Sequence, residues 1–290
     1  MNGRSLVRLA GVFIVLRASV AGAQHAHGGA VMYHGPRWSP DGQWILSSAN
    51  LDGDPEIYLI RADGRELKQL TRNNTADDMA WWSEDGRRIV FISRRADTTA
   101  QFSMALDGSD IRPQPRDSVI ARSPDGRTLL FETIRDGRAQ LFAMTADRTS
   151  ARLVSRHRYA EQGSISPDGK LLVYEERDSA HEIERSQIIV ATADGATPRA
   201  VADGTDPSWS PDGQSILFKL FDERMQLWIA TVSPAGEPPR KLAPGVHPHW
   251  SPDGRRIASM RERPDGGADI WVMNRDGSEA RCLTCEKPFR

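Results

Sequence analysis

The sequence predicts an all-β protein, a six-bladed β-propeller with four antiparallel strands in each blade. Three observations predict it: a short turn occurs six times, the turns recur about every 40 residues, and apolar strand-like segments lie between them. From the aspartate of one turn to the next, the steps are 44, 40, 43, 44 and 41 residues. A fixed period of this length, with strands between turn signals, indicates a radial array of small sheets.

The repeated turn reads Ser-Pro-Asp-Gly in five copies and Ser83-Glu84-Asp85-Gly86 in the other. Proline presets the backbone for a type I turn, aspartate can bond its own backbone, and glycine accepts a positive φ without steric cost. The chain can therefore return as an antiparallel strand after each turn. The six turn aspartates are Asp41, Asp85, Asp125, Asp168, Asp212 and Asp253.

Four strand segments follow from the residues around each turn. A short segment precedes the turn, an apolar run follows it, and a third strand and a short outer strand complete the repeat, as in residues 57–60 and 67–71. The third strands are apolar on both faces, which indicates a sheet packed between two neighbouring sheets. Six sheets in a ring satisfy that requirement, and no repeat has the periodicity of a good helix.

A tryptophan ends the first segment in four repeats, at Trp38, Trp82, Trp209 and Trp250. The third and fourth repeats have Arg122 and Ile165 at this position. A packed aromatic ring covers about 150–250 Å². We therefore expect looser packing around the third and fourth blades.

This pattern of Trp-Ser-Pro-Asp-Gly, two apolar strands, Asp-Gly and an outer strand resembles the WD40-like repeat of TolB-type β-propellers, over residues 31–284. The resemblance implies a periplasmic protein of the cell envelope, because the founding member's propeller docks the peptidoglycan-associated lipoprotein. The chain departs from that member in lacking an α/β domain ahead of the propeller. The function that the resemblance implies for this chain is a platform that binds a protein or peptide of the cell envelope. One candidate partner is a lipoprotein.

The first 23 residues read as a secretory signal peptide. Arg4 and Arg8 give a positive start, residues 9–16 an apolar core, and Ala21-Gly22-Ala23 a cleavage site. The prediction is export to the periplasm or beyond, with residues 24–290 forming a single propeller domain. At about 44 residues per blade, six blades leave no room for a second domain.

Charge and motifs exclude several function classes. The chain has 38 Lys and Arg against 39 Asp and Glu, which favours neither nucleic acid nor an anionic membrane as a partner. No later apolar run is long enough to span a bilayer. We also expect a monomer. There is no Gly-x-Ser-x-Gly, P-loop, dinucleotide fingerprint or His-Glu-x-x-His motif. These features favour a binding protein without enzymatic activity.

The two cysteines, Cys282 and Cys285, form a Cys-x-x-Cys pair near the C-terminus. In an exported protein they are expected to form a local disulfide or remain free thiols. A thioredoxin-like site needs a βα context, and a zinc site needs two further ligands.

Candidate ligand-binding residues come from the start of each first strand, because first strands line the central channel of a propeller. Counting back four or three residues from the tryptophan position predicts a polar ring at one channel mouth, made of His34, Asp78, Glu161, Asp206 and His247. His249, two residues after His247, is added to these candidates. Such a ring could hold a divalent cation, bond a peptide or sugar, or only cap strand ends. Strand alternation suggests that His247 and His249 face one ligand.

Two functions follow from these observations. The first is an exported binding scaffold that needs no cofactor. The alternative is a metal-dependent lyase or hydrolase that acts on a polysaccharide or lactone at the channel mouth. Ring closure stays open, because residues 25–33 could add a strand to the last blade or lie over an edge.

Overall fold

The computed structural model describes residues 30–95, 98–114, 119–135, 138–155, 159–179 and 185–285, and it confirms the predicted fold class. These residues form six separate antiparallel sheets of four strands each, with the strands of every sheet consecutive in the chain. Each sheet is one blade. None of the residues that the structure describes forms a helix long and apolar enough to cross a bilayer.

The strand bounds follow the repeats closely. Blade 1 contains β1 (Tyr33–Trp38), β2 (Trp44–Ala49), β3 (Glu56–Arg61) and β4 (Leu67–Gln69); blade 2 contains β5 (Asp77–Trp82), β6 (Arg88–Arg95), β7 (Thr98–Ala105) and β8 (Arg112–Gln114); blade 3 contains β9 (Val119–Arg122), β10 (Thr128–Arg135), β11 (Arg138–Thr145) and β12 (Ala151–Leu153). Blade 4 contains β13 (Tyr159–Ile165), β14 (Leu171–Arg177), β15 (Gln187–Thr192) and β16 (Arg199–Asp203); blade 5 contains β17 (Thr205–Trp209), β18 (Ile216–Phe221), β19 (Leu227–Val232) and β20 (Arg240–Pro244); blade 6 contains β21 (Val246–Trp250), β22 (Arg256–Glu262), β23 (Ala268–Asn274) and β24 (Arg281–Cys282).

The six Ser-x-Asp-Gly turns join the first and second strand of each blade with one repeated set of hydrogen bonds. In blade 6, the Ser251 hydroxyl donates to Asp253 Oδ1 at 2.6 Å, and the same oxygen accepts from Arg255 N at 3.1 Å. Ser251 Oγ also accepts from Arg256 N at 2.9 Å. The turn glycines have φ between 66° and 74°, a conformation in which glycine carries no steric penalty. The turns therefore satisfy their own polar groups.

The blades pack against one another through apolar faces, and in the four blades that have the tryptophan it packs against the preceding blade. Trp38 of blade 1 lies in one cluster with Ala258 and Ile270 of blade 6, and Trp250 packs with Leu217 and Ile229 of blade 5. Burying such rings on folding is the main favourable contribution at each junction.

The two junctions without tryptophan differ from each other. Between blades 3 and 4, Ile165 joins a core that includes Leu172 and Tyr174. Between blades 2 and 3, Arg122 forms an ion pair with Glu84 at 2.9 Å, and no apolar cluster joins these two blades within the described residues. The looser packing expected from the sequence is thus seen at the blade 2–3 junction only, because isoleucine can replace tryptophan in a core and arginine cannot.

Blade 6 and blade 1 close the ring without exchanging strands. Residue Met32 forms one parallel bridge with Ala268, and Arg263 Nη2 donates to Val31 O at 2.9 Å. Arg281 Nη2 donates to Ala62 O at 2.7 Å. Residues 31 and 32 therefore lie along the edge of blade 6, while residues 25–29 and the predicted signal peptide fall outside the described residues.

Candidate functional site at the channel mouth

Each first strand starts with an irregularity at the predicted mouth. The pairing register between first and second strands shifts there in every blade. In five blades the bulged residue has φ between 49° and 56°, namely Gly35, Met79, Gln162, Asp206 and His247. Four of these are not glycine, and a left-handed backbone costs such residues about 1–2 kcal/mol each. Strain of this kind clusters at functional sites.

Asp78 and His34 occupy the mouth on the side of blades 1 and 2. The Asp78 carboxylate accepts from the Ser48 hydroxyl of blade 1 and, at 2.7 Å, from Met79 N. His34 uses its backbone oxygen to accept from Ser47 Oγ at 2.7 Å. The contacts of Asp78 therefore connect the first two blades.

Glu161 of blade 4 shares the Arg177 guanidinium with Glu175. Arg177 Nη2 lies 2.9 Å from Glu161, and Nη1 lies 2.6 Å from Glu175. The side chains of Arg177 and Glu175 are only 7% and 5% exposed, whereas that of Glu161 is 28% exposed. Burial, reinforced by the charge of Asp206, raises the pKa of Glu175 to about 7, although Arg177 opposes the shift. Two carboxylates thus compete for one buried cation.

Glu132 of blade 3 lies beside this group. Burial and the nearby Glu161 carboxylate raise its pKa to about 7, while a hydrogen bond from Gln162 N and the charge of Arg177 act in the opposite direction. The carboxylate therefore binds a proton far more readily than an exposed glutamate does.

Asp206 of blade 5 forms an ion pair with Lys219 at 2.6 Å, and its backbone N–H donates to Glu175 Oε2 at 2.9 Å. His247 of blade 6 lies close to both. Its ring reaches the solvent of the channel but is surrounded by protein, so desolvation, together with the charge of Lys219, lowers its pKa to about 4. His34 and Arg37 of blade 1 also lower the pKa of His247, which shows that blades 5, 6 and 1 meet here.

His249 does not join His247 as strand alternation suggested. The bulge at His247, with φ 49°, interrupts the alternation between Val246 and His249. His249 Nδ1 instead accepts from Trp38 N of blade 1 at 3.4 Å. Burial and the charge of Arg37 lower the pKa of His249 to about 3. The pair therefore presents no shared face to a ligand.

Three charged residues at the mouth were missed by counting back from the tryptophan. Glu132, Glu175 and Lys219 each stand six residues after the glycine of their turn, in the second strand of blades 3, 4 and 5. The sequence feature that could have located these three residues is a charged residue directly after the apolar run of the second strand.

Together these residues form a connected cluster of charged and titratable side chains, which we call the channel-mouth arc. It comprises Glu132, Glu161, Glu175, Arg177, Asp206, Lys219 and His247, from blades 3 to 6. Part of the arc is structural, because Glu132 and Glu175 each accept a backbone N–H of the next blade. The partly exposed members can bond a charged or polar ligand.

Metal ligation at the mouth has limited support in the geometry. Among the residues that the structure describes, three His, Cys, Asp or Glu ligand atoms lie within 4.8 Å of one another only at Asp269, Cys282 and Cys285. Those two cysteines are joined by a disulfide with an S–S distance of 1.99 Å. Sulfur atoms in a disulfide are not the thiolate ligands that zinc requires.

Comparisons with known proteins agree with this architecture. A family model described as the TolB beta-propeller domain matches residues 20–117 and 114–244. The Tol-Pal system protein TolB of Anaeromyxobacter dehalogenans is 29% identical over 184 residues, with the match covering 56% of this chain and 42% of that protein. This chain thus matches less than half the length of that relative.

Two solved structures share the fold at low sequence identity. TolB from Acinetobacter baumannii has a TM-score of 0.60 and 16% identity, covering 86% of this chain and 62% of that chain. An oligogalacturonate lyase in complex with manganese has a TM-score of 0.54 and 14% identity, covering 87% and 77%. At these identities the likeness extends to the fold alone, since one propeller fold hosts many activities.

Proposed function

Since this chain belongs to the TolB β-propeller domain family, we propose that it is an exported, non-enzymatic scaffold that binds a protein or peptide at the channel mouth. The observation that carries the proposal is the channel-mouth arc. Seven charged or titratable side chains from four blades converge there, and two of these residues, Asp206 and His247, have a strained left-handed backbone, an arrangement that costs stability.

The arc is suited to recognition of a polypeptide. It contains both carboxylates and cations, and its members Glu161 and Asp206 keep 28% and 27% of their side chains exposed. A partner that offers complementary charges would gain charge-assisted hydrogen bonds at these two positions. Rigid strands hold the arc, so little conformational freedom is lost on binding.

The relatives support the proposed location and the proposed class of partner. The curated relative is named as a Tol-Pal system protein, which supports a periplasmic location and an envelope partner, with a lipoprotein as the first candidate. The secretory signal predicted over residues 1–23 supports the same location. We propose that the chain acts as a monomer, because a complete ring buries the apolar faces of its own blades.

The test is capture of partners from a periplasmic extract. The full chain is immobilised, bound proteins are identified by mass spectrometry, and the capture is repeated with Glu161→Gln. We expect a defined envelope protein whose recovery falls at least about tenfold with the variant and also falls with added salt. Equal recovery by both chains would refute the arc as the binding surface.

A metal-dependent lyase or hydrolase is the second candidate, and the shared fold with a manganese-bound lyase is the observation that favours it. It requires a cation held by His34, Asp78, Glu161, Asp206 or His247, and no three such ligand atoms meet at the described mouth. Elemental analysis of the purified chain tests it. A stoichiometric metal that His247→Ala removes would favour the enzyme over the scaffold.

A further inference from the structure

A second charged cluster lies at the junction between blades 1 and 2, outside the channel-mouth arc. Glu56 begins β3 and Asp77 begins β5, and both residues are 0% exposed. Asn73 connects them, because its backbone N–H donates to Glu56 Oε1 at 2.6 Å and its side-chain amide to Asp77 Oδ2 at 2.8 Å. One asparagine thus donates hydrogen bonds to two fully buried carboxylates.

Each carboxylate keeps one oxygen without a partner. Glu56 Oε2 and Asp77 Oδ1 are buried and accept no hydrogen bond from the described residues, and the same is true of Asp54 Oδ2. A buried anionic oxygen without a donor or a cation is strongly unfavourable.

Blade 6 has a buried carboxylate at the equivalent position, and there an arginine neutralises its charge. Asp269, 1% exposed, accepts from Thr284 Oγ1 at 2.8 Å, and that hydroxyl accepts from Ile270 N at 3.1 Å. In blade 1, Thr71 has the same relation to Glu56 and to Ile57 N. The difference is Arg263, whose Nη1 lies 3.0 Å from both oxygens of Asp269.

Blade 1 has no counterpart of that arginine. Six residues before Asp269 stands Arg263, whereas six residues before Glu56 stands Asn50. The Asn50 amide is engaged elsewhere, accepting from Met32 N at 2.7 Å and donating to Ala30 O at 3.3 Å. Among the residues described, Glu56 and Asp77 accept hydrogen bonds from Asn73 and not from a cationic side chain. The junction thus carries carboxylates that require a positive charge.

The loop that leads to Glu56 has the spacing of a calcium-binding loop. Asp52, Asp54 and Glu56 alternate along the chain with Gly53 and Pro55 between them, and alternate acids in a glycine-containing loop are typical of Ca²⁺ sites. Asp52 is exposed and accepts from Gln69 Nε2 at 2.9 Å. This alternation is absent from the Ser-x-Asp-Gly turns.

We propose that the junction between blades 1 and 2 binds a divalent cation of the calcium class, with Glu56 and Asp77 as ligands and Asp54 completing the site. The donors are oxygen atoms only, which suits Ca²⁺ and its flexible coordination better than zinc, which prefers nitrogen and sulfur. As the side chains stand, the three carboxyl groups do not all lie within 4.8 Å of one another. Asp54 is the partly exposed member and is the one that turns inward.

The test is calcium binding by the full chain after treatment with a chelator. Thermal unfolding and isothermal titration calorimetry are run with CaCl₂ at constant ionic strength, and with MgCl₂ for comparison. We expect saturable binding with a dissociation constant on the order of 10⁻⁴–10⁻³ M, a rise in melting temperature of roughly 2–4 °C at tenfold excess over that constant, and a weaker response to Mg²⁺.

Four variants test whether the response belongs to the junction. Glu56→Gln and Asp77→Asn should abolish it, while Asp265→Asn, in the loop of blade 6 that Arg263 neutralises, should leave it intact. The amide oxygen introduced by Glu56→Gln can still accept from Asn73 N, so we expect this variant to fold, as circular dichroism can verify. No calcium response in the parent chain, or an equal response in Glu56→Gln, overturns the proposal. A response lost instead in Asp206→Asn would place the cation in the channel and overturn it too.

Discussion

Acidic side chains at the two ends of the blades have opposite properties. At the Ser-x-Asp-Gly turns, hydrogen bonds from serine hydroxyls and backbone N–H groups lower the pKa of aspartates such as Asp253. At the channel mouth, burial and neighbouring carboxylates raise the pKa of Glu132 and Glu175 to about 7. The turn acids therefore favour the folded state when ionised, and the mouth acids oppose it.

This difference separates residues that hold the fold from residues that are suited to binding. The turn aspartate recurs in all six blades, whereas the position six residues after the turn glycine holds serine, isoleucine, glutamate, glutamate, lysine and methionine. A position that differs between equivalent blades has no common structural task. Charges that cost stability at such a position are expected where a ligand provides compensation.

The largest effect is expected from Arg177→Met. This variant leaves Glu161 and Glu175 without their shared cation, and breaking a buried ion pair in this way costs about 3–5 kcal/mol. The free energy of unfolding in urea at pH 8 measures it. Arg177→Lys, which retains the charge, should lose less, and a loss below about 1 kcal/mol for Arg177→Met would show that the mouth charges are not effectively buried.

Glu132→Gln should act in the opposite direction and raise stability by about 1–2 kcal/mol at pH 8. The folded protein holds a proton on Glu132 up to a pKa of about 7, while the ordinary value is 4.5. The parent chain therefore loses stability relative to the variant as the pH rises from about 4.5 to about 7, and the gap is constant above that. Urea unfolding at pH 4, 6 and 8 measures the difference in the free energy of unfolding between the variant and the parent chain. A difference that does not change with pH would contradict the raised pKa of Glu132.

Asp253→Ala should lower stability by about 1 kcal/mol, because the turn loses two hydrogen bonds that are largely exposed. Since the pKa of Asp253 lies below its usual range, the loss should be the same at pH 6 and pH 8. When Asp253→Ala and Glu132→Gln are compared in one set of urea unfolding curves, we expect changes of opposite sign in the free energy of unfolding. If both variants were more stable than the parent chain, turn acids and mouth acids would not differ in their effect on stability.

The sequence predicted the fold almost completely, because the turn chemistry is local and repeated. Even the weak junction between blades 2 and 3 followed from Arg122 in place of tryptophan. The site was predicted only in part. Counting from the tryptophan located Asp78, Glu161 and Asp206, but alternation failed at His247, since a left-handed bulge cannot be read from a non-glycine residue. The count does not give the pairing of Arg177 with Glu161 and Glu175, because that pairing depends on contacts between strands.

The most direct test compares binding and stability in the same two variants. The dissociation constant of the captured envelope partner is measured for Asp206→Asn at the mouth and for Asp253→Ala at the turn. We predict at least about a tenfold weaker complex for Asp206→Asn, and unchanged affinity for Asp253→Ala despite its lower stability. Equal affinities for the two variants, or a loss confined to Asp253→Ala, would contradict the account of the channel mouth as the binding surface.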